Sequence, residues 1–266
     1  MSILYKKNLS VMSYNIWFSE YERNERLKSL IYIVNKENPD VLCLQEVLSN
    51  EYEKLKLKLN YDYYFPNSIE EGTYGCVIFS KYNIVKSKII KLPSKMDRNL
   101  LISQININFK CGDVDEFEKM VITNTHFESE FSTTSNPTKE QQYKFVSAIL
   151  NKLFKDYGNV ILCSDTNVTK IENEFFNKVF IGMGDAWIDT GSDQNNEYTY
   201  DNVTNKNLKF RNIVLRSRID KILYKNKGST KPINFKLITG IENMIQPSDH
   251  HGILSTFEIM HAYFKV

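Results

Sequence analysis

The chain has 266 residues, of which 42% are hydrophobic and 25% are charged, and its formal net charge is +2. This composition is ordinary for a globular protein, and no apolar run approaches the ~20 residues of a membrane helix, so a helical membrane protein is excluded. The near balance of charge neither requires nor excludes a polyanionic partner, because a cleft can be basic on a nearly neutral protein.

The N-terminal part of the chain alternates strands and helices, and the middle is rich in short strands. Apolar periodicity predicts helices at residues 22–38, 50–59 and 137–157. Apolar and β-branched runs between turn residues predict the strands. These predicted strands are residues 8–17, 40–46, 61–65, 75–80, 83–92, 99–109, 119–127, 159–165, 218–225, 233–239 and 251–259.

This order of elements predicts an α/β fold. A helix between two strands is typical of a crossover connection, and runs of adjacent strands are typical of antiparallel sheet. Nearly a dozen strands are too many for one compact open sheet. We therefore expect two mixed β-sheets packed face to face, with helices on both outer faces, forming a single catalytic domain over residues 1–266.

The four cysteines are widely separated and form no CxxC motif. Cys43 and Cys163 lie inside apolar runs, where a free buried thiol is expected. The N-terminal segment has no apolar region of the signal-peptide type. These features predict an intracellular protein of a reducing compartment, the nucleus or the cytoplasm.

Polar residues stand where the apolar runs of the predicted strands end. A strand buried on both faces has to be apolar, so functional groups can appear only where it emerges. A carboxylate directly after an apolar run is costly to bury without a cation, a donor network or solvent. At or just after strand ends lie Asn15, Gln45, Glu46, His126, Glu128, Ser129, Asp165 and Asn167, while Asp220 lies within a strand and Asp249 and His250 precede the last one.

Carboxylates that share one sheet edge predict a divalent-cation site. Their hard oxygens favour Mg²⁺ or Ca²⁺, and no spacing in the chain resembles a zinc site. Six of these residues also have a local alternative that the sequence leaves open. These alternatives are a turn cap for Asn15, a helix cap for Glu46, an Asx turn for Asp165 with Asn167, a buried histidine for His126 and a cross-strand ion pair for Asp220.

Read in order, the set N…QE…TH…SDTN…RIDKIL…SDH resembles the exonuclease–endonuclease–phosphatase superfamily over residues 10–257. That resemblance implies a four-layer α/β sandwich. The segments EEGTYGCVIFS, LPSKMDRNLLISQININ, THFES, DAWIDTG and YTYD are similar to the tyrosyl-DNA phosphodiesterase 2 family, which cuts the 5′-phosphotyrosyl bond left by a trapped topoisomerase. One departure is Tyr200, where that family usually has Trp.

The resemblance implies a role for each polar residue. Glu46 would bind Mg²⁺, or Mn²⁺ as a substitute, with Asn15 and Asp249 in or near the ion's shell. Asp165 and Asn167 would position the attacking water. His250 and His126 would donate to phosphate oxygens, Asp220 would orient His250, and Arg98 would add a cation. In the SDHHG segment, His251 would be the variable residue that follows the catalytic motif.

The implied substrate is DNA with a 5′-phosphotyrosyl end, single-stranded or frayed, bound by a monomer that does not engage a membrane. Stacking platforms and basic residues grip such a strand. Tyr74, Ser129, Tyr200 and Phe210 are the substrate-binding candidates, and the candidates for phosphate contacts are Arg98, Lys209, Arg211, Arg216 and Arg218. Core packing for the aromatic residues and a solvated face for the basic run remain alternatives.

Two other functions remain open at this stage. The first is a different phosphoesterase of the superfamily, such as a general DNA or RNA nuclease or a lipid or inositol phosphatase. The second is a binding protein that has kept the fold without activity. The complete set of acids and histidines argues against the binding protein, and the PSKMDRNLL segment argues against a lipid enzyme.

Overall fold

The computed structural model describes residues 2–130, 135–209 and 213–264. The α-helices are α1 (Arg23–Glu37), α2 (Ser49–Lys58), α3 (Pro137–Tyr157), α4 (Asn173–Val179) and α5 (Ala186–Asp189). The strands are β1 (Ser2–Asn15), β2 (Val41–Leu48), β3 (Tyr63–Phe65), β4 (Tyr74–Ser80), β5 (Ile84–Lys91), β6 (Asn99–Cys111), β7 (Val114–His126), β8 (Asn159–Asp165), β9 (Gly184–Asp185), β10 (Tyr200–Asp201), β11 (Arg216–Ser217), β12 (Asp220–Asn226), β13 (Thr230–Ile238) and β14 (Gly252–Phe264).

Two six-stranded mixed sheets form the centre of the fold. The first has the order β13-β14-β1-β2-β4-β3 and the second β5-β6-β7-β8-β12-β9, while β10 and β11 make a separate two-stranded ribbon. The apolar faces of the two sheets pack together in one cluster that includes Cys43, Cys163 and Phe257. The predicted α/β fold with two packed mixed sheets is therefore confirmed.

Helices cover the outer faces of both sheets, as the sequence predicts. Leu30 and Val34 of α1 pack with Leu55 of α2 on the first sheet. On the second sheet Val146 of α3 packs with Phe176 of α4. In both layers the apolar residues recur at helical spacing, so each helix buries one stripe and leaves its polar side to solvent.

The predicted bounds differ from the structure mainly at the termini and in the stretch between residues 166 and 219. β1 begins at Ser2 and β14 reaches Phe264, since these two strands pair antiparallel along their whole length. The short elements α4, α5, β9, β10 and β11 were not predicted, because two to seven residues carry no readable periodicity.

The central strands bring their polar ends to one edge of the sandwich. β1 runs parallel to β2 with Asn15 opposite Gln45. In the second sheet β7 runs parallel to β8 with His126 opposite Asp165. Asp220 stands opposite Asp165 on the next strand. Parallel neighbours end at the same edge, so residues far apart in the chain become neighbours here.

We expect Gly252→Ala to destabilise the protein by about 1–3 kcal/mol, the usual effect of forcing extra volume into a packed site. Gly252 opens β14 directly after the SDHH segment, and a Cβ there would lie 2.5 Å from the fully buried ring of Tyr14. The control is Gly75→Ala, where the nearest atom to a Cβ is Ile69 Cδ1 at 3.9 Å. Urea unfolding measures both, and equal stability would contradict the close approach of Gly252 to Tyr14.

Candidate active site

The two sheets are joined at their polar edge by a hydrogen bond between side chains. Asn15 Nδ2, at the end of β1, donates to Asp165 Oδ2, at the end of β8, over 2.9 Å. Both side chains are almost completely buried. Asn15 Oδ1 also accepts from the Trp17 amide, and Asp165 Oδ1 accepts from the Asn167 amide. The local turn roles of these residues therefore exist together with their places in the site.

Asp165 lies at the centre of the cluster. Its Oδ2 is 3.3 Å from His126 Nε2 and 3.8 Å from His250 Nε2. Burial, reinforced by the neighbouring Asp220 carboxylate, raises the pKa of Asp165 to about 7. An acid in that range can take up and release a proton near neutral pH.

The two histidines beside Asp165 are held in opposite charge states. Burial by itself would lower the pKa of His250, but the Asp220 and Asp165 carboxylates outweigh it and hold that pKa well above its usual value. His250 Nδ1 contacts Asp220 Oδ2 at 2.9 Å, which fixes the ring. Burial, together with Arg98 and His250, lowers the pKa of His126 well below its usual value. One imidazole is therefore charged and the other neutral.

Glu46 and Asp249 are the carboxylates without a strong cationic partner. Glu46 sits at a bulge of β2 with a φ of 58°, and its Oε2 accepts from the Phe18 amide over 3.0 Å. Asp249 Oδ1 accepts from Ser248 Oγ over 3.2 Å. Burial raises the pKa of both acids. Within the described residues, neither has a lysine or arginine at ion-pair distance; Glu46 has only neutral His126, at 3.8 Å.

The donor set fits a hard divalent cation. Buried carboxylates without a paired cation are unfavourable, and oxygen ligands suit Mg²⁺. A second position for an ion exists deeper in the site, where ligand atoms of Asp165, Asp220 and His250 all lie within 4.8 Å of one another. This buried cluster is consistent with a metal site. An ion on His250 Nδ1, however, would have to break the hydrogen bond to Asp220.

A cavity of about 530 Å³ opens beside Glu46 and His126. Its wall contains Tyr74, whose ring stacks in parallel on Phe18 with 4.6 Å between centroids. The Arg98 guanidinium lies 5.5 Å from the centroid of the Tyr74 ring. Arg98 Nη2 is also 3.5 Å from Ser129 Oγ. Three of the predicted residues are therefore brought together as one aromatic and cationic wall.

The buried carboxylate of Glu128, in the THFES segment, connects this segment to the PSKMDRNLL segment. Glu128 accepts from Ser94 Oγ at 2.7 Å, from the Lys95 amide at 3.0 Å and from Gln142 Nε2 at 3.0 Å. These bonds fasten the loop before β6 to the end of β7. The loop in turn carries Arg98 into the cavity.

A larger cavity of about 890 Å³ lies on the other side of the cluster, lined by Asn167, Tyr200 and Lys221 among others. The Tyr200 ring meets the His250 ring edge to face, with 5.0 Å between centroids. Arg216 and Arg218 also line this cavity, but each is already in an ion pair, with Asp201 and Asp185 respectively. Burial and the nearby Arg218 lower the pKa of Lys221 to about 8.

Several candidates lie elsewhere. Lys209 is exposed, lies over the ring of Tyr21 and lines neither cavity. Phe210 and Arg211 fall outside the described residues. His251 is fully buried, its Nε2 lies 2.9 Å from Thr204 Oγ1, and burial lowers its pKa to about 4. The second histidine of SDHHG is thus a packed residue outside the cluster around Asp165.

Sequence reasoning missed Lys139, which fastens the backbone of Asn167. Lys139 Nζ donates to Asn167 O at 2.8 Å and to Glu172 Oε2 at 2.7 Å, with both side chains buried. A signal was present, because Lys139 falls on the same stripe of α3 as Tyr143 and Val146. A lysine on an otherwise apolar stripe indicates a buried partner.

The fold and the polar edge define a class of protein. Residues 12–250 match the Endonuclease/Exonuclease/phosphatase family, and the chain belongs to this family. Within it, the chain is 28% identical to tyrosyl-DNA phosphodiesterase 2 of Xenopus tropicalis over 96% of its own length and 67% of that protein. The chain therefore spans about two thirds of such relatives.

Solved structures show the same relationship. The D. rerio TDP2 structure, complexed with single strand DNA product, superposes with a TM-score of 0.76 at 25% identity, covering 94% of this chain and 98% of that one. TDP2 from C. elegans gives a TM-score of 0.75 at 28% identity, covering 94% and 75%. In the described part of the chain, no helix is long and apolar enough to cross a bilayer.

We expect His250→Ala to lower kcat by ~10²–10³-fold, the range for loss of one hydrogen-bond donor that stabilises charge in the transition state, while substrate binding persists. His251→Ala should leave kcat nearly unchanged but lower the free energy of unfolding by about 1–3 kcal/mol, because removing the fully buried imidazole leaves a cavity. Steady-state kinetics and urea unfolding of both variants measure the two effects. Equal loss of kcat in the two variants would show that the histidines are assigned wrongly.

Substitutions that replace one carboxylate by a neutral amide can distinguish between the two ion positions. If Glu46 is a ligand, Glu46→Gln weakens Mg²⁺ binding by at least the ~10-fold typical of lost metal-site partners. Asp220→Asn should then leave Mg²⁺ affinity almost unchanged, since Asp220 is engaged with His250. Titration calorimetry with Mg²⁺ measures both. The reverse order of affinities would place the ion at Asp165, Asp220 and His250.

Proposed function

We propose that the protein is a Mg²⁺-dependent phosphodiesterase that hydrolyses 5′-phosphotyrosyl–DNA bonds, releasing tyrosine or a peptide and leaving a 5′-phosphate. Such an activity would serve DNA repair at trapped topoisomerases. The observation that carries the proposal is the cavity lined by Glu46 and His126, whose wall holds the Arg98 cation and the Tyr74 ring, which stacks on Phe18. This wall suits a phosphate that is esterified to an aromatic group.

The cation would be held by Glu46, with Asn15 and Asp249 near it. When bound, Mg²⁺ supplies charge stabilisation to a phosphate oxygen and to the leaving oxygen. Mn²⁺ has the same preference for oxygen ligands and would substitute. The Phe18 amide keeps the Glu46 carboxylate in place through its 3.0 Å hydrogen bond.

Asp165 would position the attacking water and accept its proton. The side-chain amide of Asn15 donates to Asp165 Oδ2 and holds it in place. A pKa of about 7 allows Asp165 to accept a proton near neutral pH. Asn167 would hold the same water. Its backbone has a φ of 48° and is tied down by Lys139, so its side chain belongs to a rigid turn.

His250 would donate a charge-assisted hydrogen bond to a phosphate oxygen. Its protonated state is supported by Asp220, and such bonds are stronger than neutral ones. His126 would donate as a neutral imidazole. Because these groups are fixed before substrate arrives, they need little reorganisation as charge builds up on the phosphorus centre.

The two cavities would receive opposite sides of the scissile bond. A phenol has a pKa near 10 and is a better leaving group than a sugar hydroxyl, so it needs less help from a general acid. The tyrosine would lie against Tyr74, with Arg98 and Ser129 beside it. The strand would pass Tyr200 in the larger cavity, where Arg216, Arg218 and Lys221 provide positive charge.

A general DNA or RNA nuclease, or another phosphoesterase of the family, is the alternative. The observation that favours it is Tyr200, because the resembling enzymes usually carry Trp there, and a smaller ring is a weaker platform for a base. The polar edge would also serve hydrolysis of an unmodified phosphodiester, since its proposed contacts are to a phosphate oxygen and a leaving oxygen, which both substrates have.

The decisive measurement is kcat/KM on matched oligonucleotides with Mg²⁺ at one salt concentration, because strand binding depends on salt. The substrates carry a 5′-phosphotyrosyl end, a 3′-phosphotyrosyl end, an abasic site or no modification. We expect a preference of at least ~10²-fold for the 5′-tyrosyl end, as expected when a site is built for one leaving group. A ratio near one between 5′-tyrosyl and unmodified DNA would support the nuclease instead.

A further inference from the structure

The segment between β1 and α1, residues 16–21, is held by two arginines of α1. Arg26 Nη2 donates to Trp17 O and to Ser19 O, each at 2.8 Å. Arg23 Nη2 donates to Phe18 O at 2.9 Å, and its Nε donates to Ser19 O at 3.3 Å. Three successive carbonyls of the segment are therefore bonded to guanidinium groups, and Trp17 has a left-handed φ of 61°.

Arg26 is the more deeply placed of the two. It is only 2% exposed, and its guanidinium stacks 4.5 Å from the centroid of the Trp17 ring. Its Nε and Nη1 have no partner among the described residues, and burial lowers its pKa. The negative charges of Glu51, Asp249 and Glu46 act in the opposite direction and raise the pKa of Arg26. A guanidinium buried at such a cost needs a role beyond filling space.

The segment delivers two groups to the candidate site. Its Phe18 amide is the hydrogen-bond donor to Glu46 Oε2. Its Phe18 ring stacks on Tyr74 with an angle of only 4° between the planes. A free loop of this length would sample many backbone conformations, and both contacts depend on one of them.

We propose that Arg26, assisted by Arg23, is a positioning residue that locks residues 16–21 so that the Phe18 amide orients the Glu46 carboxylate and the Phe18 ring supports Tyr74 in the cavity wall. Arg26 acts through the segment and touches neither the cation nor the substrate. The proposal rests on the role proposed for Glu46 as a cation ligand. Under this proposal α1 contributes to metal affinity, a role that the sequence pattern of the helix does not predict.

A purely structural role for Arg26 leads to a different expectation. Replacing a buried charged group by an apolar side chain of similar size is often neutral or stabilising, so Arg26→Met can fold well. If Arg26 only fills space, Arg26→Met would leave the segment and the site unchanged. If it positions the segment, stability persists while metal affinity falls.

The test compares Arg26→Met and Arg26→Lys with the control Lys28→Met, whose side chain is 68% exposed on the same helix. We expect Arg26→Met to weaken Mg²⁺ binding, measured by titration calorimetry, by ~10-fold or more, as for other partners that orient a metal ligand. Arg26→Lys keeps the charge but loses the planar pair of donors, so its loss should be smaller. Lys28→Met should match the wild type.

Hydrogen exchange of the peptide containing residues 16–21 gives a readout that requires neither metal nor activity. We expect faster exchange in Arg26→Met and none of that change in Lys28→Met. Phe18→Ala keeps the amide but removes the ring, so it should raise KM for an aryl phosphodiester while Mg²⁺ affinity stays within about twofold. Unchanged exchange and unchanged Mg²⁺ affinity in Arg26→Met would overturn the proposal.

The same experiment distinguishes failure of the proposed function. If the wild type and Glu46→Gln bind Mg²⁺ equally, the role of Glu46 is wrong, and the link from Arg26 to metal affinity is overturned with it. The exchange rates still decide whether Arg26 locks the segment. If Arg26→Met does not fold, Arg26→Lys carries the comparison, and wild-type exchange and Mg²⁺ affinity in Arg26→Lys would count against the proposal.

Discussion

The buried carboxylate of Asp165 is the constraint on which the polar edge depends. It ends an apolar strand that is buried along its whole length, so solvent cannot stabilise its charge. A donor comes from the other sheet, where Asn15 Nδ2 bonds to Asp165 Oδ2, while His126 on the neighbouring strand and His250 lie close to the same oxygen. Satisfying one acid therefore fixes the relative position of both sheets at this edge.

The same low-dielectric surroundings give chemically similar residues different states. His250 remains charged because Asp220 and Asp165 outweigh the effect of burial, whereas His126 faces Arg98 and the charged His250 and is neutral. Burial acts on both rings in the same direction. The difference comes from which charges lie within reach: Asp220 and Asp165, brought close by strand pairing, raise the pKa of His250 more than Asp249 beside it in the chain.

Positioning groups surround the cluster on every side. Glu128 fastens the loop that carries Arg98, Lys139 fastens the turn of Asn167, and Arg26 fastens the segment before α1. In each case a buried charged side chain satisfies backbone groups of a loop. Loops are otherwise the most mobile parts of a domain, so such bonds are a physical means of presenting loop residues in one geometry.

The amino-acid sequence predicts the two-sheet α/β fold and the polar residues of the edge. Apolar periodicity reports burial, and an acid after an apolar run, as in Glu46 or Asp165, stands out because its burial requires a partner. The long helix α3 was read to its end residues, since Pro137 and Gly158 mark both termini.

Which polar groups contact one another depends on the folded arrangement of the strands and loops. Phe18 stacks on Tyr74 although the two residues lie on different elements, and the two cavities are likewise formed by several elements. Arg26 and Lys139 donate to backbone carbonyls of loops. Backbone carbonyls are identical in every residue, so no sequence pattern marks the ones that a buried cation will bind. His250 and His251 are adjacent in the chain just before β14, yet one ring contacts Asp220 and the other Thr204, which lie on different parts of the fold.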